Sequence, residues 1–170
     1  NFTGPNPADK NVQIKANKNI NINDSVASAS GNVDIISANG KGVTSGDINI
    51  TSTQKDGVNQ TLLKAEKNLS IEGKNTTLDN VSTRYQTVKF YNNNTTGTNN
   101  VTVKNGTTFS QYKADNIART NDITLTTNGN FTMDNATMRT GNVDNVTAED
   151  NGTAKAFDFE VKSGNERMNN

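Results

Sequence analysis

A four-residue unit recurs along this chain: an amide or carboxylate, then two apolar residues flanking a polar one. Two copies stand close together, Asp122-Ile123-Thr124-Leu125 and Asn130-Phe131-Thr132-Met133. Six more are Asn11-Val12-Gln13-Ile14, Asn19-Ile20-Asn21-Ile22, Asn32-Val33-Asp34-Ile35, Asp47-Ile48-Asn49-Ile50, Asn68-Leu69-Ser70-Ile71 and Asn100-Val101-Thr102-Val103. Side chains alternate across a strand, so each unit buries two residues on one face and then stops. Gly31, Gly46 and Gly129 directly precede three of the copies. Asn128-Gly129, between the two neighbouring copies, has the composition of a tight turn with positive backbone torsions.

Two distances are nested in the pattern. Starts at 11 and 19, and at 122 and 130, lie eight apart, whereas 11 to 32, 47 to 68 and 100 to 122 are separated by 21, 21 and 22. An eight-residue step inside a repeat of about twenty is what stacked turns give when each contributes two or three short strands. The expectation is an all-β, single-stranded parallel β-helix (a β-solenoid) with coils of about 20 residues. About eight turns at about 4.8 Å each would make a rod about 40 Å long.

Only 30% of the 170 residues are apolar, 5% are aromatic, and mean hydropathy is -0.78. Such a chain is too poor in apolar residues for a conventional globule, yet 17 basic residues balance 17 acidic ones and the apolar residues keep period two. A narrow column of core suits it. No composition break or linker divides residues 1–170, so they read as one domain, and the first residues, lacking both a Met start and a signal-peptide core, mark it as an excised or processed segment.

Along the chain, residues 1–10 hold both prolines, Pro5 and Pro7, and read as a loop. Residues 11–65 alternate tetrads with turn-like connections such as Ser28-Ala29-Ser30-Gly31 and Ala38-Asn39-Gly40-Lys41-Gly42. Leu62, Ala65 and Leu69 have helical spacing, but the stretch is short and uncapped, which favours a strand. Residues 84–91 read as one long strand with Tyr85, Thr87, Lys89 and Tyr91 on one side and Gln86, Val88 and Phe90 on the other. The polar run from Asn92 to Asn100 follows. It is the best candidate for a protruding recognition loop, and Tyr85, Tyr91, Asn92, Asn93, Asn94 and Thr95 are the candidate ligand-binding residues.

Little here points to catalysis. Without His or Cys, imidazole bases, thiol nucleophiles and soft metal sites are absent, and no cofactor or metal is expected. Glu149-Asp150 and Asp158 with Glu160 are the close carboxylate groupings, and both read as solvated faces. An enzymatic alternative, a polysaccharide lyase or tailspike on a β-helix, would draw on Asp144, Glu149 and Asp158. An ice-binding solenoid would need an aligned Thr-x-Thr ladder, of which only isolated examples occur. Lys and Arg are scattered singly, which disfavours nucleic acid, and no stretch is apolar enough to insert in a membrane as a helix.

Asn followed two residues later by Thr or Ser occurs 15 times. With 31 Asn and 34 Ser plus Thr in 170 positions, chance would give about six such acceptor motifs for N-glycosylation. The Asn-apolar-Thr-apolar tetrad generates the motif by itself, which accounts in part for Asn49, Asn68, Asn100 and Asn130. Asn59, Asn75, Asn93, Asn94, Asn105, Asn135, Asn145 and Asn151 are the candidate glycosylation sites.

The Gly-(Asn/Asp)-apolar-polar-apolar units at Gly31, Gly46 and Gly129, in a Cys-free background rich in Asn and Thr, resemble the filamentous-haemagglutinin-like adhesins of bacterial two-partner secretion. The motif density is similar to their high-molecular-weight branch. The resemblance implies a right-handed parallel β-helix and a secreted fibre at the bacterial cell surface. The partners it implies are an outer-membrane secretion partner, a glycosyltransferase acting on Asn, and a host-cell surface glycan or protein. The amino-terminal secretion motif and carboxy-terminal cysteine pair of that family are not found. This chain would therefore be an internal part of the fibre, serving attachment or acting as a passive stalk.

Overall fold

The computed structural model describes residues 2–3, 10–93, 99–111, 123–127, 129–138, 159–162 and 165–169. They form strands and connections, with no helix among the described residues. Three six-stranded sheets account for nearly all the strands, and every pairing within them is parallel.

The first sheet contains β1 (Phe2–Thr3), β4 (Val26–Ala29), β9 (Thr61–Ala65), β12 (Val81–Tyr85), β15 (Thr108–Gln111) and β18 (Thr137–Met138) in that order. The second runs β2 (Val12–Ala16), β5 (Val33–Ser37), β10 (Asn68–Glu72), β13 (Thr87–Tyr91), β16 (Ile123–Thr126) and β19 (Phe159–Lys162). The third runs β3 (Ile20–Asn23), β6 (Ile48–Thr51), β11 (Thr76–Asp79), β14 (Val101–Lys104), β17 (Asn130–Asp134) and β20 (Asn165–Asn169). The chain visits the sheets in rotation, and each strand pairs with its counterpart one circuit later. A small antiparallel hairpin, β7 (Gln54–Lys55) with β8 (Val58–Asn59), stands apart.

The tetrads fix the register. In the second sheet Val12, Val33, Leu69 and Val88 stack in one column and Ile14, Ile35, Ile71 and Phe90 in the next. In the third, Ile22, Ile50, Leu78, Val103 and Met133 stack, and beside them Ile20, Ile48, Thr76, Val101 and Phe131. Slipping any strand by one residue would turn its apolar pair to solvent, so the pattern specifies the pairing. Buried apolar residues from all three sheets belong to one cluster, with Val33, Ile35, Ile48, Ile50, Leu63, Leu69, Leu78, Phe90 and Phe131 at 0% exposure. Where the first and second sheets meet, Phe109 packs against Phe90 with ring centroids 5.7 Å apart and against Tyr85 at 6.3 Å.

Several expectations are corrected. The repeat of about twenty holds for two circuits only: Val12 to Val33 is 21 residues and Leu69 to Val88 is 19, while the other circuits of that sheet are 35 or 36. In the circuit from Val33 to Leu69 the added residues are the loop 38–45 and the hairpin of β7 and β8. Six strand layers form instead of eight, which at the usual spacing measure about 24 Å. Residues 84–91 are two strands in different sheets. The chain turns at Gln86, where the N–H groups of Gln86 and Thr87 both donate to the Lys67 carbonyl at 2.8 and 3.2 Å. Ser28 and Ala29, expected in a turn, end strand β4. Gly129 lacks the positive φ expected of it; a Cβ there would lie 2.6 Å from the Asn99 carbonyl carbon, so the position demands space. Gly46 is the same case, its Cβ meeting the Lys18 carbonyl carbon at 2.3 Å and the Asn19 nitrogen at 2.6 Å.

Candidate functional site

The polar residues that sequence analysis singled out fall into three structural settings. In the first, Asn or Asp residues at the feet of strands form ladders in the second and third sheets. In the third sheet the Asn19 Oδ1 accepts the Asp47 N–H at 2.9 Å, Asp47 Oδ1 the Asn75 N–H at 3.2 Å, Asn75 Oδ1 the Asn100 N–H and Asn100 Oδ1 the Asn130 N–H, both at 2.9 Å. The second sheet repeats this from Asn11 to Asn32 at 2.8 Å and from Asn32 to Asn68 at 3.2 Å. Each side-chain oxygen satisfies a backbone donor at a strand start, where the sheet ladder has not yet begun. The next residue points into the core and the one after it outward, so a Thr or Ser at that outer place completes the acceptor motif as a by-product.

In the second setting, a column of residues turns the corner from the third sheet to the first. Asp24, Asn80, Asn105 and Asn135 have φ of 45°, 58°, 55° and 47°, and they follow strand ends that are in register. Asn and Asp tolerate this left-handed conformation better than other side chains that carry a Cβ. Three motif asparagines, Asn80, Asn105 and Asn135, belong here.

The third setting is the corner between the second and third sheets, where two inserts meet. The first spans 38–45 and the second begins at Asn92, two circuits later. Between them the tight corner at Gly73 carries no insert, so the loops reach across it. Asn92 is only 7% exposed, and its Nδ2 donates to the carbonyls of Gly73 and Lys74. Asn93 Oδ1 accepts the Thr44 N–H at 2.7 Å, its Nδ2 donates to the Gly42 carbonyl at 3.0 Å, and its own N–H reaches Thr44 Oγ1 at 3.3 Å. This clasp joins residues 49 apart in sequence. Nothing local announces it; the only signals were the Asn-Gly and Gly of the first loop.

The candidate ligand residues are therefore divided. Asn92 and Asn93 anchor the base of the loop. Tyr85 is at 0% exposure in the core, which corrects its placement on a ligand face, because the corner at Gln86 reverses the alternation and sends Tyr85 inward. Tyr91 lies on the outer face of the second sheet with the Lys89 Nζ 4.4 Å from its ring centroid, and that ammonium also pairs with Glu72 at 3.1 Å. Asn94 and Thr95 lie outside the described residues, as do Asn145 and Asn151 and the carboxylates Asp144, Glu149 and Asp158.

Among the candidate acceptor amides, Asn59 donates both Nδ2 hydrogens inward, to Ser82 Oγ and the Gly106 carbonyl, each at 3.2 Å. A glycan on that nitrogen would displace one of them. Asn75 and Asn105 each donate from Nδ2 to one carboxylate oxygen, Asp47 and Asp79 respectively, at 2.8 Å. A substituted amide keeps one hydrogen, so these bonds can coexist with a sugar. Asn135 is exposed at the left-handed corner. No group of three or more potential metal ligands occurs among the described residues. In comparisons with known proteins, no family model, curated sequence or solved structure matches the chain.

Proposed function

We propose that the chain is a parallel β-helix segment of a bacterial surface adhesin, in which stacked coils form a stiff fibre that presents polar faces and corner loops to a host-cell surface glycan or protein. The observation that carries this reading is the rotation of one chain through three in-register parallel sheets around a single thin core. Such a body has an outer surface made of repeating polar rows and corners, and an insert at a corner projects without disturbing the stack. Weak contacts repeated along a fibre would add by multivalency. Secretion to the cell surface through an outer-membrane partner and attachment of sugar by a glycosyltransferase belong to the same proposal, supported by the repeat units and the acceptor-motif excess. The chain is proposed to act by presentation, without enzymatic turnover.

Deleting residues 94–98 while keeping the Asn92 and Asn93 anchors tests the role of the loop. Beads coated with the native chain should attach to host cells, and the deletion should reduce attachment with no change in urea unfolding. Equal attachment by both forms would overturn receptor binding by this loop. A passive stalk is the second reading, and the engagement of Asn92 and Asn93 in holding coils together favours it. Mass measurement of the segment from its native host separates the sugar question, with hexose increments expected at Asn105 and Asn135 before Asn59.

A further inference from the structure

We propose that Asn39-Gly40 is a site of spontaneous intramolecular deamidation, and that the folded structure selects it over Asn105-Gly106. Both pairs have the same sequence, so their environments decide. In the loop 38–45 the Asn39 N–H donates to the Val43 carbonyl at 2.9 Å, Gly42 N–H to the Asn39 carbonyl at 2.9 Å, and Thr44 N–H to Asn93 Oδ1 at 2.7 Å. Lys41 and Val43 both donate their N–H groups to Asn39 Oδ1, at 2.9 and 3.1 Å. Within this loop Gly40 is the residue whose N–H has no hydrogen-bond partner among the described residues. Asn39 and Gly40 are exposed, and open space surrounds Gly40.

This arrangement leaves the nucleophile free and polarises the electrophile. The Gly40 nitrogen gives its proton to water or hydroxide and attacks Asn39 Cγ. Negative charge developing on Oδ1 is met by two backbone donors already in place. The new N–Cγ bond closes a succinimide, the Cγ–Nδ2 bond breaks, and Nδ2 leaves as ammonia with a proton from water. A water molecule then opens the ring to aspartate or isoaspartate. Overall one water is consumed, one ammonia is released, and nothing is oxidised or reduced. At Asn105 the same step is opposed. The Gly106 N–H is held by the Asn135 carbonyl at 2.6 Å, and the leaving nitrogen is held by Asp79 at 2.8 Å.

The product matters to the loop. Isoaspartate inserts an extra methylene into the main chain, so the Lys41 and Val43 donors no longer converge on one oxygen and the Thr44–Asn93 clasp loses its frame. This inference does not depend on adhesion. The test is peptide mapping of the folded chain after incubation in mildly alkaline buffer, with a parallel sample in urea. In the folded chain Asn39 should convert at least roughly tenfold faster than Asn105, since two hydrogen bonds must open at the latter. In urea the two should convert at similar rates. Equal or reversed rates in the folded chain would overturn the proposal. Gly40→Ala, which the open space tolerates, should slow conversion of Asn39; an unchanged rate would overturn the intramolecular route.

Discussion

Gly46→Ala should be among the most damaging single-methyl additions this fold can receive. The new Cβ would stand 2.3 Å from the Lys18 carbonyl carbon, 2.5 Å from its oxygen and 2.6 Å from the Asn19 nitrogen, all of them backbone atoms of the preceding circuit. Relaxed contact between such atoms needs about 3.5 Å, so the two circuits must part by about 1 Å at this corner. Three hydrogen bonds cross or flank it: Lys74 N–H to the Gly46 carbonyl at 2.8 Å, Ile20 N–H to the Asp47 carbonyl at 2.9 Å, and Asp47 N–H to Asn19 Oδ1 at 2.9 Å. At about 1 kcal/mol each, with some loss of packing around the fully buried Ile48, the destabilisation is about 3–4 kcal/mol. With an m-value of about 2 kcal/mol/M the urea midpoint falls by about 1.5–2 M. Gly40→Ala is the control, because nothing lies within 4 Å of its Cβ and its φ is ordinary; it should be neutral or stabilising by up to about 1 kcal/mol. A Gly46→Ala variant within about 1 kcal/mol of the native chain would refute the argument that room between circuits selects this glycine.

Other substitutions probe the remaining devices. Asn105→Ala should cost about 2 kcal/mol in urea unfolding, from the left-handed backbone and the lost bond to Asp79, while Asn105→Gly should recover the backbone part. Equal losses for the two would remove the conformational explanation of the corner column. Phe109→Ala, at 1% exposure between Tyr85 and Phe90, should lose about 3–5 kcal/mol and shift the melting transition accordingly. Glu72→Gln breaks the ion pair with Lys89, whose side chain is 47% exposed, and should change stability by less than about 1 kcal/mol at any salt concentration.

The strands were legible because each tetrad carries its own answer: apolar, polar, apolar has one buried face whatever lies beside it. Leu69-Ser70-Ile71 and Val101-Thr102-Val103 form strands where the pattern places them. Corners were much less legible. Whether Gln86 continues a strand or turns it depends on the Lys67 carbonyl of the previous circuit, and whether Gly129 is needed for torsion or for room depends on Asn99. The same limit applied to the candidate site. Tyr85 and Tyr91 share a side only if the strand between them is unbroken, and the Asn93 clasp needs a partner 49 residues away. Periodicity reports the faces of strands; contacts between circuits decide everything at their ends.

The asparagine excess can now be divided by what each oxygen and nitrogen does. Ladder positions require an acceptor, and Asp47 serves there as well as Asn does, taking both the N–H and the Nδ2 of Asn75 at 3.2 and 2.8 Å. Aspartate throughout would set carboxylates about 4.8 Å apart along the column, each neighbouring pair repelling by about 1 kcal/mol even in water. Asparagine is thus the neutral acceptor that such a stack favours, and Asn68, Asn75, Asn100 and Asn130 need no sugar to explain them. By the same reasoning Asn100→Asp should leave stability within about 1 kcal/mol, because the Asn130 N–H keeps its partner and the ladder neighbours Asn75 and Asn130 are neutral. A larger loss would mean that the Asn100 amide nitrogen also holds the stack. The Asn100 nitrogen would then act as the Nδ2 groups of Asn68 and Asn75 do, which donate to Asn32 and Asp47 at 3.0 and 2.8 Å, and the motif at this strand start would need a donor as well.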